Sequence, residues 1–119
     1  MEEKIKKKLT RDWFKILQDM ICVEIESLEK NKLKFKSYNW NRNKTKNEGG
    51  GEYRILKNGK IFDKVGVNFS EVYGKFNSKL RNKIQGTKNS SKFWASGISV
   101  VMHMKNPHVP AMHFNTRYI

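Results

Sequence analysis

The side chains best suited to chemistry lie together between residues 93 and 119. This stretch holds all three histidines of the chain, His103, His108 and His113. It also holds both prolines, Pro107 and Pro110, which frame a short loop around His108. Apolar-rich runs flank the loop on both sides, and this pattern predicts a strand, a loop and a second strand.

Side chains alternate between the two faces of a strand, so each run has one polar face. If the two strands pair antiparallel, the polar faces form one surface that carries Ser99, His103, His113, Asn115 and Arg117. Imidazoles in such a place can bind a divalent metal or transfer protons near neutral pH. Two histidines alone do not complete a metal site, so on the residues alone hydrogen-bonded structural histidines are the favoured interpretation.

Composition limits the classes of protein that the chain can represent. Its 119 residues suffice for a single domain. The net charge of +14 predicts attraction to nucleic acid, an anionic membrane or a small molecule with several carboxylates, and a merely lysine-rich surface is an equally weighted alternative. No apolar run reaches the length of a membrane span and no secretory signal is visible, so we expect a cytoplasmic protein.

Cys22 is the only cysteine, which excludes an internal disulfide and a thiolate metal cluster. It lies in an amphipathic pattern that predicts one long helix from Glu2 to about Lys30. We therefore expect a buried, inert thiol. The apolar stripe of this helix, with Trp13 and Met20 among its members, is expected to form the core face; its residues are Ile5, Leu9, Trp13, Ile16, Leu17, Met20, Ile21, Ile25 and Leu28.

The rest of the chain is predicted to be mainly β-structure. We expect a strand over 33–40, a mobile loop over 41–51, and a hairpin with a two-residue type I′ turn at Asn58-Gly59. A strand over 65–72 follows, in which Gly66 indicates a bulge or a close approach of another group. A short helix is predicted over 77–84. The expected fold is α+β, a single domain over 1–119 in which a helix over 1–31 packs on antiparallel strands over 33–119.

Two long motifs carry a family resemblance. Residues 95–103 read Ala-Ser-Gly-Ile-Ser-Val-Val-Met-His, and residues 105–118 read Lys-Asn-Pro-His-Val-Pro-Ala-Met-His-Phe-Asn-Thr-Arg-Tyr. Upstream, three glycines at 49–51 precede Phe-Asp-Lys-Val-Gly-Val-Asn-Phe-Ser at 62–70. In order and spacing, from about Trp40 to Ile119, these motifs resemble the oxygen-dependent coproporphyrinogen III oxidase family.

The resemblance implies a reaction and its participants. The reaction is the oxidative decarboxylation of coproporphyrinogen III to protoporphyrinogen IX in haem biosynthesis, with molecular oxygen as co-substrate. It implies a homodimer, no organic cofactor and a divalent metal such as manganese.

The resemblance also implies roles for particular residues. It makes His113 the proton donor and makes His103 and His113 metal ligands. It makes Ser99, Asn115, Thr116 and Arg117 substrate-binding residues, Thr116 through its backbone, and His108 is expected to be exposed and non-catalytic. A planar guanidinium suits a carboxylate, of which this substrate carries four.

Members of the family are longer, so we expect this chain to correspond to the N-terminal part of such an enzyme and to be inactive alone. Two other functions compete with this one. A small nucleic-acid-binding module would explain the charge and the aromatics among lysines, as in Lys34-Phe35-Lys36 and Lys92-Phe93-Trp94. No helix-turn-helix, zinc-finger or RNP-type pattern supports it, so nucleic acid is not the expected partner. The third possibility is a non-catalytic remnant that binds a partner or a tetrapyrrole.

Overall fold

In the part of the chain that the structure describes, one helix packs on one sheet. The computed structural model describes residues 2–30, 32–75 and 92–119, so the helix predicted over 77–84 lies outside the described residues. The elements are α1 (Glu3–Glu29), β1 (Lys36–Asn41), β2 (Gly49–Lys57), β3 (Phe62–Lys75), β4 (Lys92–Met104) and β5 (Met112–Tyr118). Each strand pairs antiparallel with the next in chain order. The predicted α+β class is confirmed.

The core lies between α1 and one face of the sheet. Its buried members are Phe14, Cys22, Ile25, Leu56, Phe62, Val65, Val67, Phe69, Ile98 and Val100. Full burial of a Val, Leu, Ile or Phe side chain contributes roughly 1.5–3 kcal/mol to the free energy of unfolding. Gln18 is also buried, and its Nε2 donates to the carbonyl oxygens of Glu52 and Val67 at 2.9 and 3.1 Å. These hydrogen bonds offset the cost of burying the amide and fix the rotation of α1 on the sheet.

The predicted extent of the helix is confirmed, but the predicted core face is wrong in part. Trp13 and Met20 are 52% and 53% exposed, and four more members of the predicted stripe, Ile5, Leu9, Ile16 and Leu28, are also exposed. Apolar residues occupy two faces of α1, and the sheet covers the one that carries Phe14, Gln18, Cys22 and Ile25. Helical periodicity alone does not tell which of two apolar faces the sheet will cover.

Cys22 is buried as predicted, and burial raises the pKa of its thiol to about 11 from an ordinary 9.0. Because the folded-state pKa is raised, this thiol contributes stability in full below pH 9 and loses it as the pH rises through about 11. We therefore expect the free energy of unfolding to fall more steeply over this range in the wild type than in Cys22→Ala. Urea titrations at several pH values measure the difference, and parallel pH dependences of the two proteins would contradict it.

The prediction of a mobile loop over 41–51 is wrong for its glycines, because Gly49, Gly50 and Gly51 lie in β2 and pair with β3, and Gly50 and Gly51 pair with β1 as well. A Cβ atom on Gly51 would collide with the carbonyl oxygen of Phe69, and Gly49 has a φ of +87°. Only glycine fits a backbone of this shape. The strand β1, predicted over 33–40, begins at Lys36 and ends at Asn41.

The predicted hairpin between β2 and β3 is present, but its turn is not at Asn58-Gly59. The backbone amide of Asn58 donates to the carbonyl oxygen of Asp63, and that of Gly59 donates to the carbonyl oxygen of Phe62, both at 2.9 Å. The inner of these two hydrogen bonds encloses Lys60 and Ile61, which places the turn at these two residues. The reason is tertiary, because the amides of the turn bind the helix. The Glu29 carboxylate, on a residue only 3% exposed, accepts from the amides of Lys60, Ile61 and Phe62 at 2.7, 3.1 and 2.7 Å.

The register of β3 shifts between Phe62 and Lys64, so the irregularity lies at Asp63 and not at Gly66. Gly66 stays in register and shows the close approach that was the other expectation. A Cβ atom there would lie 2.6 Å from the hydroxyl oxygen of Tyr53.

The helix of the described residues is not long and apolar enough to cross a membrane.

Candidate functional site

The five polar side chains predicted to share a surface do share one face of the sheet. Asn115 lies opposite Ser99, His113 opposite Val101, and Arg117 opposite Gly97. Directly opposed residues of an antiparallel pair point to the same side, and His103 follows Val101 by two positions. This side faces away from α1, and we call it the polar face. Thr116 lies opposite Ile98, so its side chain points to the other side, as the sequence predicts.

His103 and His113 are in direct contact on the polar face. Their Nε2 atoms lie 3.2 Å apart, and their ring centroids are separated by 5.2 Å. At this distance a hydrogen bond joins the two rings when one Nε2 atom carries a proton and the other does not. Both residues are exposed. Lys64 of β3 lies directly opposite His103 and adds a positive charge beside the pair.

The geometry of this pair fits two ligands of one metal ion. Metal–nitrogen bonds of 2.0–2.1 Å put neighbouring ligands of a tetrahedral ion roughly 3.4 Å apart, close to the observed Nε2–Nε2 distance. Among residues 2–30, 32–75 and 92–119, no group of three or more His, Cys, Asp or Glu residues could hold a metal. The pair thus offers part of a coordination sphere.

The polar face extends beyond β4 and β5 across the whole sheet. One register row runs through all five strands and consists of Tyr38, Tyr53, Asn68, Ser99 and Asn115. The part of this row on β1, β2 and β3 was not among the predicted site residues. A signal was present, because Asn68 and Ser70 alternate with apolar Val67 and Phe69, which indicates a strand with one polar face.

The polar face is positively charged. Of its residues in register on the five strands, none is Asp or Glu, whereas four are cationic: Lys36, Lys57, Lys64 and Arg117. A surface whose charged side chains are all cationic attracts anions and raises their local concentration.

The acidic side chains of the strand pairs lie on the α1 side, where each has a cationic partner. Glu52 binds Arg54 at 2.8 Å, and Glu71 binds Arg11 at 3.1 Å. Its hydrogen bond with Arg54 lowers the pKa of Glu52, so this carboxylate stays charged on the side away from the polar face.

A cleft of about 420 Å³ lies near the glycine run, partly on the α1 side of the sheet. Its border includes the backbone of Gly49, Gly50 and Gly51 together with Lys15, Glu52 and Glu71. Two carboxylates against one ammonium group disfavour an anion here. The glycine run therefore serves the strand pairing rather than an anion site.

The aromatic residues that suggested nucleic-acid binding do not form a stacking surface. Phe35 packs against the core, and the guanidinium of Arg42 covers Phe93 at 4.9 Å from the ring centroid. Trp94 points to the opposite side of β4, where its indole nitrogen donates to Glu71 and its ring contacts Tyr118. Bases stack on exposed rings that share one surface, so this arrangement does not favour the nucleic-acid alternative.

His108 takes no part in the histidine pair. It is exposed in the loop between β4 and β5, and its backbone amide donates to the Asn106 side chain at 2.9 Å. This position is the one that the sequence predicts for it.

Together these features of the described residues define a class of protein: an α+β domain with a helix on one side of its sheet and, on the other, a cationic face with paired histidines. The sequence model of the Coproporphyrinogen III oxidase family matches residues 9–119, so the chain belongs to this family.

Its relatives include proteins named oxygen-dependent coproporphyrinogen-III oxidase from three Rickettsia species. Identity over 121 aligned residues is 46% to the protein of Rickettsia africae (strain ESF-5), 45% to that of Rickettsia rickettsii (strain Sheila Smith) and 44% to that of Rickettsia typhi (strain ATCC VR-144 / Wilmington). Each alignment covers 95% of this chain and 42% of the relative. The chain therefore spans about two fifths of the length of these relatives.

Proposed function

We propose that this chain is the part of an oxygen-dependent coproporphyrinogen III oxidase that binds substrate carboxylates and carries the first two histidines of the active site. Family membership gives the reaction class. The observation that carries the proposal is the polar face, where paired histidines stand among cations with no acidic residue in register. Such a face suits a substrate with four carboxylates and repels none of them.

The reaction sets the demands on this face. In each decarboxylation a propionic acid side chain reacts with O₂ to give a vinyl group, CO₂ and H₂O₂, so the substrate supplies two electrons and oxygen accepts them. No organic cofactor is needed for this balance. The protein has to hold the macrocycle in one orientation and to move protons at its reacting edge.

Arg117 is suited to hold a propionate. Its neighbour across the strand pair is Gly97, which has no side chain to compete for the space beside the guanidinium. Arg117 and His113 share a face four residues apart, about 13 Å along the strand. A propionate on Arg117 thus leaves room for another edge of the macrocycle at His113, where the proton shared by the pair is available as the donor. Ser99 and Asn115 lie between these two positions and offer hydrogen bonds to the substrate.

The remaining proposals concern partners. In a metal-bound state the two Nε2 atoms would hold a metal ion jointly in place of the proton between them, and manganese, which prefers oxygen ligands, would need such ligands in addition to the imidazoles. The metal would supply a positive charge beside the reacting groups. We further propose a cytoplasmic enzyme that acts as a homodimer, as the resemblance to the family implies.

A chimeric enzyme tests the proposal. In it, this chain replaces the matching part of the Rickettsia africae relative. We expect the chimera to convert coproporphyrinogen III into protoporphyrinogen IX, measured by porphyrin fluorescence after oxidation of the product, and we expect no turnover by the 119-residue chain alone. A chimera that folds like the active relative and forms no product would overturn the proposal. Robust turnover by the isolated chain would contradict the claim that the chain acts only as one part of the enzyme.

Arg117→Lys in the chimera tests the carboxylate contact. Lysine keeps the charge but loses the planar fork, so we expect the half-saturating substrate concentration to rise about tenfold while the maximal rate changes less. Arg11→Lys makes the same chemical change on α1, where Arg11 pairs with Glu71, and should leave both constants unchanged. Equal kinetics of Arg117→Lys and the unsubstituted chimera would remove Arg117 from the site.

A further inference from the structure

A hydrogen bond on the polar face connects strands that are not neighbours. The indole nitrogen of Trp40, on β1, donates to the Oδ1 atom of Asn68, on β3, at 2.9 Å. The indole reaches β3 because Gly51 of β2 lies beneath it. A Cβ atom on Gly51 would lie 2.9 Å from Cζ2 of Trp40, so any side chain there would displace the ring.

This bond fixes which way the Asn68 amide points. An indole N–H is a donor only, so the atom facing it must be the carbonyl oxygen and not the NH₂ group. The two N–H groups of Nδ2 therefore point away from Trp40. Among the described residues, Nδ2 of Asn68 makes no hydrogen bond. Asn68 thus presents two oriented donors without a partner in this part of the chain.

The position of Asn68 joins these donors to the site already described. Asn68 lies directly opposite Ser99 of β4, and Ser99 lies directly opposite Asn115 of β5. Gly66 and Gly97, two positions away on β3 and β4, contribute no side chain to this face. The surroundings hold no acidic residue in register that could accept from Nδ2. Oriented donors in a cationic setting recognise a carboxylate.

We propose that Asn68 binds a carboxylate of the substrate through Nδ2 and that Trp40 is its positioning residue. This inference rests on the proposed function and extends the binding surface from β4 and β5 to β3. Gly51 has a part in it as well, because its lack of a side chain lets the indole cross β2. Asn68 would then hold a propionate on the side of Ser99 that is remote from Arg117.

The test uses coproporphyrin III, the stable oxidised macrocycle with the same four carboxylates, titrated into the ¹⁵N-labelled full chain. We expect the side-chain NH₂ resonances of Asn68 to shift with added porphyrin, together with the backbone amides near His113 and Arg117. Asn68→Asp replaces both donors by a negative acceptor and keeps the shape of the side chain. It should weaken binding about tenfold or more.

A matched control is available on the same sheet. Asn39 is exposed beside Trp40 and lies opposite Glu52 on the α1 side, so Asn39→Asp adds the same charge on the other face. This variant should change the affinity for the porphyrin less than twofold.

Trp40→Phe tests the positioning role of the indole, because it keeps a ring but removes the indole N–H. It should weaken porphyrin binding and reduce the difference in chemical shift between the two amide protons of Asn68. The melting temperature should stay within a few degrees of the wild-type value.

The outcomes separate the two proposals. If resonances near His113 and Arg117 respond to the porphyrin and Asn68→Asp binds like the wild type, the role of Asn68 is overturned and the proposed function stands. If no resonance of the polar face responds, both proposals fall. Equal losses in Asn68→Asp and Asn39→Asp would show a general charge effect and would also overturn the role of Asn68.

Discussion

Replacing His113 by alanine is expected to lower the maximal rate of the chimeric oxidase by about a hundredfold or more, the usual effect of losing a positioned acid–base group. In the structure the Nε2 atoms of this residue and His103 lie 3.2 Å apart, within hydrogen-bond distance. The substitution removes the proposed donor and half of the pair at once. Substrate binding should change less, because the carboxylates are held elsewhere on the polar face. Steady-state titration against coproporphyrinogen III separates the two effects.

His108→Ala is the matched control for this prediction. It removes an imidazole from the same stretch of chain, but His108 is exposed in the loop and lies outside the pair. We expect the rate and the half-saturating concentration of this variant to equal those of the unsubstituted chimera. If both alanine variants retain full rate, His113 has no role in proton transfer and the pair is structural.

The largest expected effect on stability belongs to Glu29→Ala. The Glu29 carboxylate accepts from three backbone amides of the turn between β2 and β3, at 2.7, 3.1 and 2.7 Å. Its removal leaves these donors without an acceptor, and each buried unsatisfied group costs roughly 1–3 kcal/mol. We expect the free energy of unfolding to fall by about 3 kcal/mol or more, a large part of the roughly 5–15 kcal/mol typical of a small domain.

Urea unfolding followed by circular dichroism measures this loss. Glu24→Ala is the control, because Glu24 lies on the same helix but is exposed, and its removal should change the free energy by no more than about 0.5 kcal/mol. If Glu29→Ala lowered the free energy of unfolding by only about 0.5 kcal/mol as well, water would have to replace the carboxylate at the turn. The clamp between α1 and the hairpin would then have no energetic importance.

The sequence was sufficient where periodicity and local turn signals agree. The loop between Pro107 and Pro110 and the alternation on either side of it predicted that His103 and His113 would lie on the same face, and their contact is 3.2 Å long. The continuous apolar pattern of the first thirty residues predicted the extent of α1. Both features depend on interactions between residues close in the chain, which a pattern of period two or 3.6 records.

The rest depends on contacts between distant residues, which no local pattern records. The turn at Lys60-Ile61 is fixed by Glu29, about thirty residues earlier in the chain, and it overrides the Asn58-Gly59 signal. Glycine is a poor strand former, so the local sequence does not predict a strand at 49–51. The reason for glycine at position 51 is a contact with another strand, because the ring of Trp40 lies across it. The role of Asn68 likewise depends on the register of three strands.

The most direct measurement for the central claim is a crystal structure of the chimera with coproporphyrin III. We expect the macrocycle to lie over β3, β4 and β5 on the polar face, away from α1. We also expect one propionate within hydrogen-bond distance of the Arg117 guanidinium and an edge of the ring beside His113. A porphyrin bound on the α1 side of the sheet, or on the polar face with no carboxylate at Arg117, would contradict the account.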